Sequence, residues 1–365
     1  MFTSRFRSFS LATCCWLAAL GGAQAQTRSY IAHPDGAITV LDTATNAVVN
    51  TITVCTDSTC SPLLPAATPD GARLYVTNAS QPVVSVIDTL TNTVIETITV
   101  GQSPWGIAIT PDGKRAYVAS LSGTISVIDT ATSNVIDTIT ESDGPLGVAV
   151  TPDGTRAYVS NVRGTVSVVD TSTNTVITKI PVLDRFGFPA SNLPAIVITP
   201  DGRRAYLVSA STGRTYAIDT AINIVIASIP TEPGNPLSIA MSPDGTRVYT
   251  ASVGFAARAF AIDTFSNTIT STISAGGPPP FVGVTPDGTR LYVNALTGVT
   301  FIDTSTFTIS TILQLNRPMG GVAFATLPQV PHSKDDCKDS GFQRFSALAF
   351  RNQGQCIKFV KEHAN

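Results

Sequence analysis

Few side chains in this chain of 365 residues combine a reactive type with a position outside its repeated motifs. The candidates for acid–base work are His33, Glu141, Asp143, Asp184, Arg185 and Glu232. A Ser-His-Asp triad would have to use His33, the sole histidine before position 332. Paired carboxylates could serve glycoside-type chemistry if folding brought two of them together. No Gly-x-Ser-x-Gly, His-Glu-x-x-His, P-loop or dinucleotide fingerprint occurs. Three histidines (His33, His332, His363) and the cysteines beyond position 25 are too scattered for tight ligand spacing, so no metal and no cofactor is expected.

Other polar residues recur. The triplet hydrophobe-Asp-Thr appears in phase with its aspartates at 42, 88, 129, 170, 219, 263 and 303. Seven carboxylates could form a calcium or acid–base ring. An Asp-Thr pair at a turn caps its own backbone, however, and sevenfold recurrence marks architecture. The arginines of Pro-Asp-Gly-x-Arg (Arg73, Arg115, Arg156, Arg204, Arg247, Arg290) fall on the same face, where carboxylates can neutralise them. With Lys+Arg 23 against Asp+Glu 25 and no interleaved aromatics on that face, nucleic acid is not an expected partner. A charged share of 13% and a hydrophobic share of 43% exclude a disordered polyelectrolyte.

The elements that position these residues follow from the repeat. The Asp-Thr steps are 46, 41, 41, 49, 44 and 40 residues. [Thr/Ser]-Pro-Asp-Gly begins at Thr68, Thr110, Thr151, Thr199, Ser242 and Thr285, and a tyrosine marks the next strand of every unit. From Gly106 to Thr140 one unit reads as four short strands, a to d: Gly106-Ile-Ala-Ile, a Pro-Asp-Gly turn, Ala116-Tyr-Val-Ala, Thr124-Ile-Ser-Val-Ile, an Asp-Thr turn, and Val135-Ile-Asp-Thr-Ile. Units of about 40 residues with four strands are propeller blades. The chain is expected to be all-β, a seven-bladed β-propeller. The ring is closed by N-terminal strands b, c and d (from Ser29-Tyr-Ile-Ala) joined to a C-terminal strand a, Gly321-Val-Ala-Phe-Ala.

Arg5 and Arg7, an apolar stretch from Leu11 to Leu20 and the small residues Ala23 and Ala25 have the order of a secretory signal peptide, cleaved after Ala25. Cleavage removes two arginines and no acid, moving the net charge from −2 to −4. The expected organisation is a signal peptide over 1–25, the propeller over 26–326 and a cysteine-containing tail over 327–365. The product would be secreted or periplasmic, with no transmembrane segment after cleavage, and monomeric. An even cysteine count in an exported chain suggests disulfides: Cys55 with Cys60 as a loop staple, and Cys337 with Cys356 across the tail.

Tyr75-Val76-Thr77-Asn78 spells the signature of the YVTN-type β-propeller repeat proteins, and Ser85 to Gly101 resembles the repeat consensus of that family. The resemblance covers roughly Thr27 to Ala325. It implies an exported, surface-layer type of propeller. Similar propellers serve as surface proteins, as accessory proteins around quinone-dependent dehydrogenases and, more distantly, as lactonases.

Function is sought where the repeat is broken. Aligned on strand a, the residues Leu63, Trp105, Leu146, Pro194, Leu237, Pro280 and Met319 share one position near the channel mouth, with Phe281 beside it. They either pack blade on blade or ring a pocket entrance. The long d–a connection from Pro181 to Leu193 carries Asp184, Arg185, Phe186 and Phe188. The resulting expectation is a non-enzymatic platform that binds another protein, an envelope polymer or a small ligand through Trp105, Phe281, Met319, Leu63, Leu146, Leu237, Asp184 and Arg185 on the d–a/b–c loop face. The alternative is a lactonase-like or lyase-type enzyme acting in the central channel on a small carbohydrate or lactone.

Overall fold

A computed structural model describes residues 26–55, 60–232, 234–254, 258–274, 281–295, 298–315, 317, 320–328, 334–338 and 353–363. The proposed signal peptide, Pro280, Met319 and His332 lie outside these residues.

Each Pro-Asp-Gly motif makes the turn its composition favours. Thr110 Oγ1 donates to Asp112 Oδ1 at 2.6 Å, Asp112 Oδ1 accepts the Lys114 amide at 3.0 Å, and Gly113 takes φ +72°. The β-branched runs on either side pair as antiparallel strands. Among the described residues, twenty-eight strands form seven four-stranded sheets arranged as a ring of blades.

Strand a of each blade is innermost: β28 (Val322–Thr326) in blade 1, then β4 (Pro62–Ala67), β8 (Pro104–Ile109), β12 (Pro145–Val150), β16 (Ala195–Ile198), β20 (Asn235–Met241) and β24 (Phe281–Val284) in blades 2 to 7. Successive inner strands lie against one another around the axis. Strand d is outermost: β3 (Val48–Thr53), β7 (Thr93–Thr99), β11 (Asn134–Thr140), β15 (Thr175–Pro181), β19 (Ile224–Pro230), β23 (Thr268–Ser274) and β27 (Thr308–Gln314).

Strands b and c are covered on both faces by the neighbouring blades, so their residues are buried almost without a break, the small polar Ser126 included. The core is a set of layers between blades. Tyr158, Val166 and Val168 of blade 4 pack against Ala205, Leu207 and Tyr216 of blade 5, and the other layers repeat the scheme.

Closure follows the expected phase. β1 (Thr27–His33) pairs antiparallel with β28, from Thr27 opposite Thr326 to Ile31 opposite Val322. Blade 1 is thus built from both ends of the repeat region, which leaves no inner seam to open. In the tail, Cys337 and Cys356 are disulfide-bonded and pack with Val360 of α1 (Gln353–His363). Cys55 and Cys60 are bonded as well. No helix among the described residues is long and apolar enough to cross a membrane.

Candidate functional site

The repeated polar residues form the joints of the ring. Asp88 Oδ1 accepts the amides of Leu90 and Thr91 at 3.0 and 2.8 Å, closing its own turn. In blade 7 the Ser305 hydroxyl and the Thr306 and Ser305 amides hold the Asp303 carboxyl down at about 2. The tyrosines reach forward to the next blade. The Tyr206 hydroxyl shares its single proton between the Asn267 Oδ1 at 2.7 Å and the Thr264 carbonyl at 3.0 Å. Arg204 Nη1 donates to the same carbonyl, and Arg115 repeats the contact with Thr171 at 2.6 Å. The arginines therefore do lie beside the Asp-Thr turns, but the partner they take there is a backbone carbonyl rather than a carboxylate. Four grooves between successive blades on this face, of 300 to 620 Å³, are lined by the same motif residues each time.

The aligned apolar position lies at a recurrent irregularity. Pairing slips between Pro62 and Pro65, Pro104 and Ile107, Pro145 and Gly147, and Pro236 and Ser238. Leu63, Trp105, Leu146 and Leu237 all fall in these β-bulges, which bend the strand at the rim of the channel. Leu63, Leu146, Pro194 and Phe281 are buried, while Trp105 and Leu237 are half-buried. The Trp105 carbonyl accepts a hydrogen bond from Thr77 Oγ1 of the preceding blade at 2.8 Å, so this position also joins blades.

The long d–a connection is a built structure. Val182, Ala190 and Leu193 are fully buried and anchor its base. The Ala190 amide donates to the Val182 carbonyl at 2.8 Å, and Leu183 pairs with Pro189. Asp184 Oδ1 accepts the amides of Phe186 and Phe188 at 2.8 and 2.9 Å, while the Asp184 amide donates to the Phe188 carbonyl at 2.7 Å. Gly187, at φ +83°, completes the turn. The tip presents Phe186 and Phe188 at 70% and 66% exposure, with the Arg185 guanidinium 4.7 Å from the Phe186 ring centre.

Of the ionisable candidates, Glu141 and Asp143 come together between blades 3 and 4. They share Lys179 of β15, at 2.6 Å to Glu141 Oε1 and 2.9 Å to Asp143 Oδ2. Ser167 Oγ donates to Glu141 Oε2 at 2.6 Å and Thr165 Oγ1 to Asp143 Oδ2 at 2.8 Å. The Lys179 bond holds Asp143 below the usual carboxylate range. Burial pulls Lys179 down, but the bonds to both carboxylates outweigh it and hold the ammonium above its ordinary value. This is a satisfied ionic joint on the loop face, away from the channel wall.

His33 is buried on β1 with Nε2 2.7 Å from Thr39 Oγ1. Glu232 is exposed in the connection between blades 5 and 6. No three His, Cys, Asp or Glu side chains gather among the described residues. Sequence reasoning missed Lys179; its signal was the single lysine in the seven outer strands.

No family model matches the chain, and no curated protein matches it in sequence. Solved structures do. A chain of Kuenenia stuttgartiensis hydrazine synthase is 26% identical, with a TM-score of 0.63 over 78% of this chain and 94% of that one. A functionally unknown protein from Desulfotomaculum acetoxidans DSM 771 is 17% identical, with a TM-score of 0.67 over 82% of this chain and 99% of that one. The seven-bladed propeller is the fold these structures have in common with it.

Proposed function

We propose that this chain is an exported, non-enzymatic recognition platform of the YVTN kind. It engages a protein, an envelope polymer or a small ligand through the d–a/b–c loop face, with Phe186 and Phe188 leading, Asp184 and Arg185 supporting them, and Trp105 and Leu237 at the channel rim. The observation that carries this reading is the tip at 184–188. Two large aromatic side chains stand exposed on a turn held rigid by Asp184, and a preformed apolar tip spares a partner the entropy of ordering it.

The inner strands support binding over catalysis. As described, β4, β8, β12, β16, β20, β24 and β28 contain no Asp, Glu, His, Lys or Arg. The channel wall they form offers no acid, base or nucleophile-activating group. Likeness to a chain of a hydrazine synthase brings an enzyme reading into view, but the ionisable cluster of this chain is a joint between blades. A lactonase-like or lyase-type reaction would need groups that these strands lack.

The test is photo-cross-linking in cells that make the protein, with a photo-reactive phenylalanine at position 186 and a control at exposed Ile95. The expected result is a discrete adduct at 186, absent at 95 and lost when Asp184→Ala is added. Adducts that are equal at both positions, or indifferent to Asp184→Ala, would overturn the reading.

A further inference from the structure

The two disulfides of this chain sit in unlike surroundings. In the tail, Cys337 and Cys356 are both fully buried beside Val360, and 19 positions separate them in sequence. Cys55 and Cys60 lie five positions apart in the d–a connection from blade 1 to blade 2. Cys60 is buried at 4% exposure, whereas Cys55 is half-buried. Of the four bonded cysteines, Cys55 is thus the one with surface to offer a thiolate in solution.

The sulfur that an attack on Cys55 would expel has a donor already in place. Asn78 ends strand b of blade 2 (Arg73–Asn78) and is buried. Its Oδ1 accepts the amides of Ser61 and Ser80 at 2.9 and 3.2 Å, which fixes the orientation of the side-chain amide. Nδ2 is thereby turned to Cys60 Sγ, at 3.1 Å, and to Gln81 Oε1, at 3.3 Å. Asn161 holds the same place in blade 4 and gives its Nδ2 to the hydroxyls of Thr165 and Ser167 instead, both at 3.0 Å. A neutral sulfur is a weak acceptor, and a charged acceptor is a strong one. The Asn78 bond therefore strengthens as charge moves onto Cys60 Sγ, and works against the burial that disfavours that charge.

The backbone on either side is held without the disulfide. The amides of Val54 and Cys55 donate to the Gly36 carbonyl at 2.8 and 3.3 Å, and the Ser61 amide is held by Asn78. Gly36, at φ +92°, lets the chain pass this closely, since a Cβ there would stand 2.5 Å from the Cys55 carbonyl oxygen. A short loop also leaves a cross-link less chain entropy to remove than the longer tail loop does. Opening this bond costs the ring little.

We infer that Cys55 is a site of reversible modification by a small thiol, with Cys60 as the leaving group, so that the pair does more than staple a loop. The incoming thiolate attacks Cys55 Sγ. A bond forms between the incoming sulfur and Cys55 as the Cys55–Cys60 bond breaks, and the electron pair of that bond leaves on Cys60 Sγ, where the Asn78 amide meets it. The Cys60 thiolate restores the original bond by attacking Cys55 and expelling the small thiolate, so the cycle needs no other oxidant or reductant. The site is separate from the recognition tip at 184–188.

The test treats the purified protein, both disulfides formed, with reduced glutathione at mildly alkaline pH, traps free thiols with N-ethylmaleimide and maps the products by peptide mass. The expected product carries glutathione on Cys55 and the maleimide on Cys60, while Cys337 and Cys356 remain joined. Glutathione on Cys60 in preference to Cys55 would overturn the inference, as would a Cys55–Cys60 bond that reacts no faster than the tail bond. Asn78→Asp keeps an oxygen for the Ser61 and Ser80 amides and removes the donor at Cys60. It should slow the exchange several-fold and raise the pH at which Cys60 of the reduced protein reacts with maleimide. A merely loosened loop would expose Cys60 and speed the exchange, so an Asn78→Asp protein that exchanges as fast as wild type, or faster, counts against the inference.

Discussion

The phenol of Tyr206 in blade 5 donates to the backbone carbonyl of Thr264 in blade 6 at 3.0 Å. The sequence distance between them is 58 residues, yet the contact recurs: Tyr158 with Thr220 at 3.3 Å and Tyr75 with Thr130 at 3.3 Å. It ties the buried layer of one blade to the turn of the next, and the turn aspartate fixes where that carbonyl stands.

This relationship predicts a graded cost around the ring. Tyr206 also donates to Asn267, which occupies a left-handed turn position at φ +56°. At the corresponding place before Tyr249 the residue is Phe307, whose ring stacks on Tyr249 at 6.3 Å. Tyr206→Phe takes the phenol donor from the Asn267 amide oxygen and leaves the Thr264 carbonyl with Arg204 alone, and should cost about 1–3 kcal/mol. Tyr249→Phe leaves fewer acceptors unpaired and should cost less. Urea midpoints at unchanged m-value measure both.

Alkaline pH tests the same layers collectively. Burial pushes the Tyr30 and Tyr292 phenols up to about 12, and raises Tyr75, Tyr117, Tyr158, Tyr206 and Tyr249 as well. In the unfolded chain these groups ionise near 10. The folded state then holds more protons than the unfolded state above pH 10, so stability falls as pH rises. Their contribution is complete below pH 10 and is lost towards pH 12. Each strongly shifted tyrosine contributes a slope of up to about 1.4 kcal/mol per pH unit. Midpoint measurements from pH 9 to 11.5 should show a plateau and then a steepening decline; a flat profile would count against buried, unionised phenols.

The joints were legible in the sequence because each carries a residue with a single backbone role. Asp at the turn and Tyr in strand b recur seven times and Gly at positive φ six times, at fixed offsets, and that repetition separates them from chance. Residues that act across blades without repeating were not legible. Glu141 and Asp143 could be named as isolated acids, but Lys179 lies 36 residues beyond Asp143 on another blade, and only the register of β15 brings it back. Leu63 and Leu146 share an alignment position with Trp105, and Phe281 follows it by one residue, yet those three are buried and Trp105 is half-buried, a difference that alignment alone does not carry. Ile222 and Ile224 were hidden for a different reason. Alternating isoleucines read as ordinary strand, and their departure from the paired hydroxyls of blades 2, 4, 6 and 7 shows only once the turns are superposed.

The ionic joint yields the last prediction. Glu141 has no exposed side-chain surface, whereas Lys179 retains 38%. Lys179→Met therefore strands a buried carboxylate that keeps only the Ser167 hydroxyl and the Asp143 amide as donors. Breaking a buried pair from one side costs about 3–5 kcal/mol, and partial exposure of the lysine places this case at or below the lower end. Glu141→Gln alone should be milder, because no buried charge is left unpaired: the amide oxygen can keep the Asp143 amide as its donor, and the amide nitrogen can donate to Ser167 Oγ once that hydroxyl turns. The double variant Glu141→Gln/Lys179→Met should recover much of the single-variant loss, since no unpaired charge remains at Glu141. That non-additivity, read in a double-mutant cycle of urea midpoints, separates an ionic joint from two residues that merely fill space. Additive losses would assign Lys179 to packing alone.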